Sequence, residues 1–137
     1  KIKEDKAWLD DAMGKSVKMI SQLLLDLPDT HKYKVLFMGR SIDEVLASQK
    51  QMMVRRGTWK EGGPTDAEMR RLLLAHVEQV LSQVATRKNF ELTVVDYNEL
   101  LRDAPAGIRL INRFLGGDLN TDAMTKVVDQ ALYRQRK

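Results

Sequence analysis

A chain of 137 residues is one domain's worth of sequence, and 43% hydrophobic against 31% charged residues is the balance of an ordinary soluble globular protein with room for a sizeable core. The absence of cysteine excludes a disulfide framework and a thiolate metal site and fits a cytoplasmic protein; apolar runs of only a few residues exclude a membrane-spanning helix, and no signal-peptide pattern opens the chain. A formal charge of +4 suits an anionic ligand, but the basic residues are scattered among acidic ones and aromatics are only 6%, which argues against a nucleic-acid surface.

Residues 1–13 read as a charged lead-in whose Trp8 and Leu9 pack a short helix on a sheet. A strand over residues 16–20 and a short helix over 21–27 follow, and His31, in the turn beyond, reads as solvent-exposed. Residues 34–39 then form an apolar strand that runs without a gap into a helix over residues 42–56. Ser41 and Glu44 fit a capping box at the start of that helix, Ile42, Val45, Leu46, Met52 and Met53 recur along its inner face, and Gly57 closes it.

This junction delivers Arg40 to the end of a strand that opens into a helix. In parallel sheets that place gathers anions, because free backbone N–H groups and the positive end of the helix dipole meet there. Ser48 lies about two turns into the helix. Two readings of Arg40 stand side by side: a phosphate ligand, or a strand-end arginine paired with a surface carboxylate. Ser48 is likewise either a ligand donor or a solvated helix serine.

Residues 57–64 form a loop rich in breakers, in which Trp59 either lines a site for a small molecule or docks onto its own helix. Thr65 and Glu68 make a second capping box, and Met69, Leu72, Leu73, His76, Val77, Val80 and Val84 mark one face of a long helix. On that face His76 reads as a satisfied core histidine rather than a catalytic one. A strand over residues 90–95 pairs in parallel with the preceding one through a right-handed crossover, and Asp96, Tyr97 and Asn98 cluster at its carboxyl end. A helix over residues 106–115 closes at Gly116-Gly117, and a final helix spans residues 121–132.

The stretch from Tyr33 to Gln49 resembles the central strand and helix of P-loop sulfotransferases, particularly a bacterial branch. That family places an Arg at the strand end and a Ser eight residues later, as Arg40 and Ser48 stand here. The resemblance continues upstream at Gly14 to Ser21, and downstream at Val94 to Asp103, at Ile108 to Gly116 and at Val127 to Arg136. It implies a three-layer α/β fold, a parallel sheet with helices on both faces, of which residues 1–137 form the C-terminal portion.

What the resemblance implies for function is transfer of a sulfuryl group from 3′-phosphoadenosine 5′-phosphosulfate to a hydroxyl or amine of an unknown small-molecule acceptor, with no metal. Arg40 and Ser48 would hold the 3′-phosphate of the donor. The family's Lys-x-His segment corresponds to Lys18-Met19-Ile20, which gives Lys18 the sulfuryl-binding role and supplies no histidine base. The family's C-terminal Arg-Lys-Gly donor-binding segment is not found; Tyr133, Arg134 and Arg136 either take its place or form a solvated basic end of the last helix. The family's Gly-rich phosphate loop has no counterpart in the chain, since no glycine falls in a G-x-x-x-x-G-K-[ST] pattern. The expectation is therefore an incomplete, inactive portion of an enzyme. The alternative is a non-catalytic binding or assembly module that forms homo-oligomers through an open sheet edge.

Overall fold

The computed structural model of the chain describes residues 5–59, 62–129 and 131. They form α1 (Trp8–Asp11), a 3-10 helix (Ser21–Asp26), β1 (Tyr33–Gly39), α2 (Ile42–Arg55), α3 (Asp66–Ala85), β2 (Phe90–Asp96), α4 (Tyr97–Arg102), α5 (Ala104–Leu115) and α6 (Thr121–Lys126). The architecture is mixed α/β around a two-stranded parallel sheet. Among the described residues no helix is long and apolar enough to cross a membrane.

The register runs from Tyr33 opposite Phe90 to Gly39 opposite Asp96, so the two strands end level. Side chains alternate across a strand, and each face of the sheet meets its own apolar cluster. Tyr33, Val35, Phe37, Phe90 and Leu92 pack on Leu9, Leu24, Leu27, Val80 and Val84, supplied by α1, the 3-10 helix and α3. Leu36 packs with Val95 against Ile108 and Ile111 of α5. Val80 and Val84 are 0% and 1% exposed. Full burial of such side chains contributes roughly 1.5–3 kcal/mol each, which makes α3 the main apolar support of the sheet.

Local chemistry sets the helix ends. The hydroxyl of Thr65 accepts from the Glu68 N–H while the Glu68 carboxylate accepts from the Thr65 N–H, the expected capping box of α3. At the other end of α2, Gly57 takes φ +66°, its N–H donates to the Val54 carbonyl and the Thr58 N–H donates to the Met53 carbonyl. These two bonds make a Schellman ending, with glycine where a left-handed residue is required.

Three expectations need correction, and one helix adds to those expected. Residues 16–20 have no regular secondary structure and are not a strand; Val17 and Ile20 are 47% and 62% exposed. An extended segment becomes a strand only when an edge pairs with it, and the sheet of the described residues contains β1 and β2 alone. The last helix ends at Lys126 rather than continuing to residue 132. Thr125 turns its hydroxyl back to the Thr121 carbonyl at 2.8 Å, and β-branched Val127 and Val128 follow, a sequence that favours leaving the helix. Beyond β2 the chain forms a helix, α4, capped by the Asp96 carboxylate, which accepts from the N–H groups of Asn98 and Glu99. His31 is half-buried rather than solvent-exposed: its side chain is 21% exposed and shares hydrogen bonds with Thr30 and with Asp10 of α1.

Candidate functional site

Because β1 and β2 end on the same rung, the residues that follow them meet. Arg40 follows Gly39, and Tyr97 follows Asp96. The Arg40 guanidinium carbon lies 5.2 Å from the centre of the Tyr97 ring, within the range of a cation–π contact.

Glu44, in the first turn of α2, is the hub of the cluster. Its residue exposure is only 5%. One carboxylate oxygen, Oε2, accepts from Nε of Arg40 at 2.9 Å, and the other, Oε1, accepts from Nδ2 of Asn98 at 3.0 Å. A buried carboxylate is tolerated only when charge and hydrogen bonds replace its lost water, and here each oxygen has a protein donor. The spacing Ser41-x-x-Glu44 predicts a capping box. Ser41 makes no side-chain cap bond, and the Glu44 carboxylate is turned to Arg40 and Asn98. The overlooked signal was the spacing Arg40-x-x-x-Glu44, one helical turn. The carboxylate that pairs with Arg40 is thus an interior one rather than a surface partner.

Ser48 follows Glu44 by one turn on the same face of α2 and is half-buried. Lys18 is exposed in the irregular stretch between α1 and the 3-10 helix, without the strand expected to carry it. Tyr133, Arg134 and Arg136 lie outside the described residues. The rim residue Asp96 is engaged in capping α4. Arg40, Glu44, Tyr97 and Asn98 are therefore the groups that the fold gathers at the carboxyl ends of the strands, with Ser48 a turn along.

The other sequence-singled residues have structural partners. His76 Nε2 and the Ser21 hydroxyl share a hydrogen bond at 2.8 Å that ties α3 to the 3-10 helix, in keeping with a satisfied histidine. Trp59 has its ring 4.9 Å from Nζ of Lys50, on its own helix α2. The crevice it borders with Leu46, Met53, Pro64 and Met69 measures about 20 Å³, room for about one water. A larger depression, about 520 Å³, is bounded by α2 residues alone, among them Ala47, Lys50 and Val54. Neither belongs to the Arg40 cluster. Among the described residues no group of three or more His, Asp or Glu side chains is placed to hold a metal ion.

No protein-family model matches this chain, and no curated protein or solved structure is found to be similar to it.

Proposed function

We propose that this chain supplies the 3′-phosphate half-site of a P-loop sulfotransferase-like domain, its two strands forming part of a larger three-layer parallel sheet. In the complete enzyme the reaction is transfer of a sulfuryl group from 3′-phosphoadenosine 5′-phosphosulfate to a hydroxyl or amine acceptor in the cytoplasm. The observation that carries the reading is Arg40, one residue beyond the carboxyl end of β1 and restrained there by Glu44 and Tyr97. A guanidinium so restrained has lost much of its rotamer entropy before a ligand arrives, and its planar fork suits phosphate oxygens. The beginning of α2 adds to this: Ser41 does not cap its first turn, so the positive end of a 14-residue helix stands beside Arg40.

In this reading Arg40 clamps the phosphate and Ser48 donates one further hydrogen bond. Lys18 is assigned the sulfuryl group, and Tyr133, Arg134 and Arg136 the remainder of the donor. Positioning of the 5′-phosphosulfate falls to a Gly-rich loop that the 137 residues do not contain, and the purified chain is expected to transfer no sulfuryl group at a measurable rate.

Titration calorimetry tests the half-site. Adenosine 3′,5′-bisphosphate should bind more tightly than adenosine 5′-monophosphate, because only the former carries the recognised group. Losing a charge-assisted fork should cost about 1.5–3 kcal/mol, so Arg40→Ala should largely erase the preference and Ser48→Ala should reduce it less. Arg40→Lys, which keeps a cation beside Glu44 but not the fork, should also lose most of it. Equal affinity for the two nucleotides, or a preference indifferent to residue 40, refutes the proposal.

A non-catalytic assembly module of the same fold is the second reading. It is favoured by the two-stranded sheet, in which β1 and β2 each keep one edge without a strand partner among the described residues. Such edges invite pairing with a second copy. Sedimentation over a concentration series distinguishes it: a dimer without nucleotide preference supports this reading against the first.

A further inference from the structure

We propose that Glu44 is the positioning residue of the phosphate half-site, an acidic side chain whose removal weakens the binding of an anion. The inference rests on the reading of Arg40 as a phosphate ligand and adds the device that aims it. Glu44 is 5% exposed, its Oε2 accepts from Nε of Arg40 at 2.9 Å and its Oε1 accepts from Nδ2 of Asn98 at 3.0 Å. Asn98 lies in α4 just past the end of β2, and Arg40 just past the end of β1. One carboxylate therefore spans the ends of both strands and ties the start of α2 to them.

The chemistry of the guanidinium gives this bond its direction. Arg has five N–H donors; the Nε bond to Glu44 uses the inner one, while the two terminal nitrogens form the fork suited to a phosphate. With Nε bonded to Glu44 and the guanidinium carbon 5.2 Å from the centre of the Tyr97 ring, the group is restrained by two different kinds of contact. Ser48, one turn beyond Glu44 on the same helix face, is set by the same helix placement.

Two effects of Glu44 on an anion oppose each other, and their signs make the proposal testable. By Coulomb's law alone, deleting a negative charge from beside a phosphate strengthens binding. Loss of an orienting partner acts the other way and on a larger scale, about tenfold or more for side chains that aim a ligand-binding group. The proposal states that orientation wins.

The experiment measures the ratio of affinities for adenosine 3′,5′-bisphosphate and adenosine 5′-monophosphate on the whole chain, since a fall in the folded fraction lowers both affinities and leaves the ratio alone. Glu44→Ala should lower the ratio about tenfold. Glu44→Asp, which keeps the charge but is one methylene too short to reach both donors, should lower it as well. Glu44→Gln, which keeps an oxygen for Arg40 without the charge and offers an N–H that the Asn98 amide turns over to accept, should hold the ratio within about threefold of wild type. If Glu44→Ala does not fold, Asn98→Ala takes its place: it removes the second tether of the carboxylate and should lower the ratio. A ratio that rises or holds in Glu44→Ala, or that holds in both Glu44→Asp and Asn98→Ala, overturns the positioning role while a loss on Arg40→Ala upholds the half-site. A wild-type chain with no preference overturns the half-site itself and the positioning role with it.

Discussion

Two helices of this protein begin with the same pattern, Ser41-x-x-Glu44 and Thr65-x-x-Glu68, yet replacing the first residue of each by alanine should have unequal consequences. Thr65→Ala removes the acceptor for the Glu68 N–H at 3.2 Å and a hydroxyl that donates to Oε2 of Glu68 at 2.9 Å, while the Thr65 N–H bond to that carboxylate at 2.8 Å survives. A lost N-cap of this kind costs about 1 kcal/mol, which for a chain of this size lowers Tm by about 4 °C. Ser41 has no side-chain cap bond to lose, so Ser41→Ala should stay within about 0.5 kcal/mol of wild type. Urea denaturation followed by circular dichroism reads both. Acid gives a second handle. The Thr65 N–H, then its hydroxyl, hold the Glu68 carboxyl below the usual glutamate value. A group whose folded pKa is depressed stabilises fully above its unfolded value and loses that contribution as pH falls through the folded one. The gap between wild type and Thr65→Ala should therefore narrow in acid. Equal costs at Ser41 and Thr65, or a gap that does not change with acidification, would refute the assignment of Glu68 to a cap and Glu44 to Arg40.

Three other outcomes follow from the packing. Gly57→Ala places a Cβ at φ +66° and should destabilise by about 1–2 kcal/mol, read as a lower denaturation midpoint with an unchanged m-value; no loss would mean that α2 does not end in a left-handed residue. Val80→Ala deletes two methyl groups from a site with 0% exposure and should cost about 2 kcal/mol, against less than about 0.5 kcal/mol for alanine at Leu72, which is 58% exposed. The Tyr33 hydroxyl donates to the Pro28 carbonyl at 3.0 Å, and burial pushes its pKa up, with Arg87 opposing. A raised folded pKa means stability that is complete below the ordinary tyrosine value and falls as pH rises through the folded one. Alkaline denaturation curves should therefore be flatter for Tyr33→Phe, and superimposable limbs would count against the partly buried hydroxyl.

Periodicity and local chemistry made much of the fold legible in the sequence. The strands at residues 34–39 and 90–95 each fall short by a single residue at one end of β1 and β2, and their parallel pairing follows from the intervening helices. The Gly57 ending of α2 and the Thr65 cap of α3 depend on neighbours within a few residues, and both form as read. Arg40 at the head of α2 and Ser48 beyond it were legible for the same reason: distances along one strand and one helix are fixed by backbone geometry.

What the sequence left open was settled by groups distant in the chain. Residues 16–20 have the composition of a strand, but pairing is a property of two segments, and in the described structure the sheet is made of β1 and β2 only. His31 reads as a turn residue until α1 brings Asp10 to within 2.9 Å of it, 21 residues away in sequence. Glu44 shows the difference most sharply. Its local pattern is that of Glu68, and Glu68 caps its helix because it is exposed and its nearest donors are those of Thr65. Glu44 is buried, where a charge has to find compensating partners. The level ends of β1 and β2 supply them as Arg40 and Asn98, the latter 54 residues away, so tertiary structure turned a capping carboxylate into the centre of the candidate site.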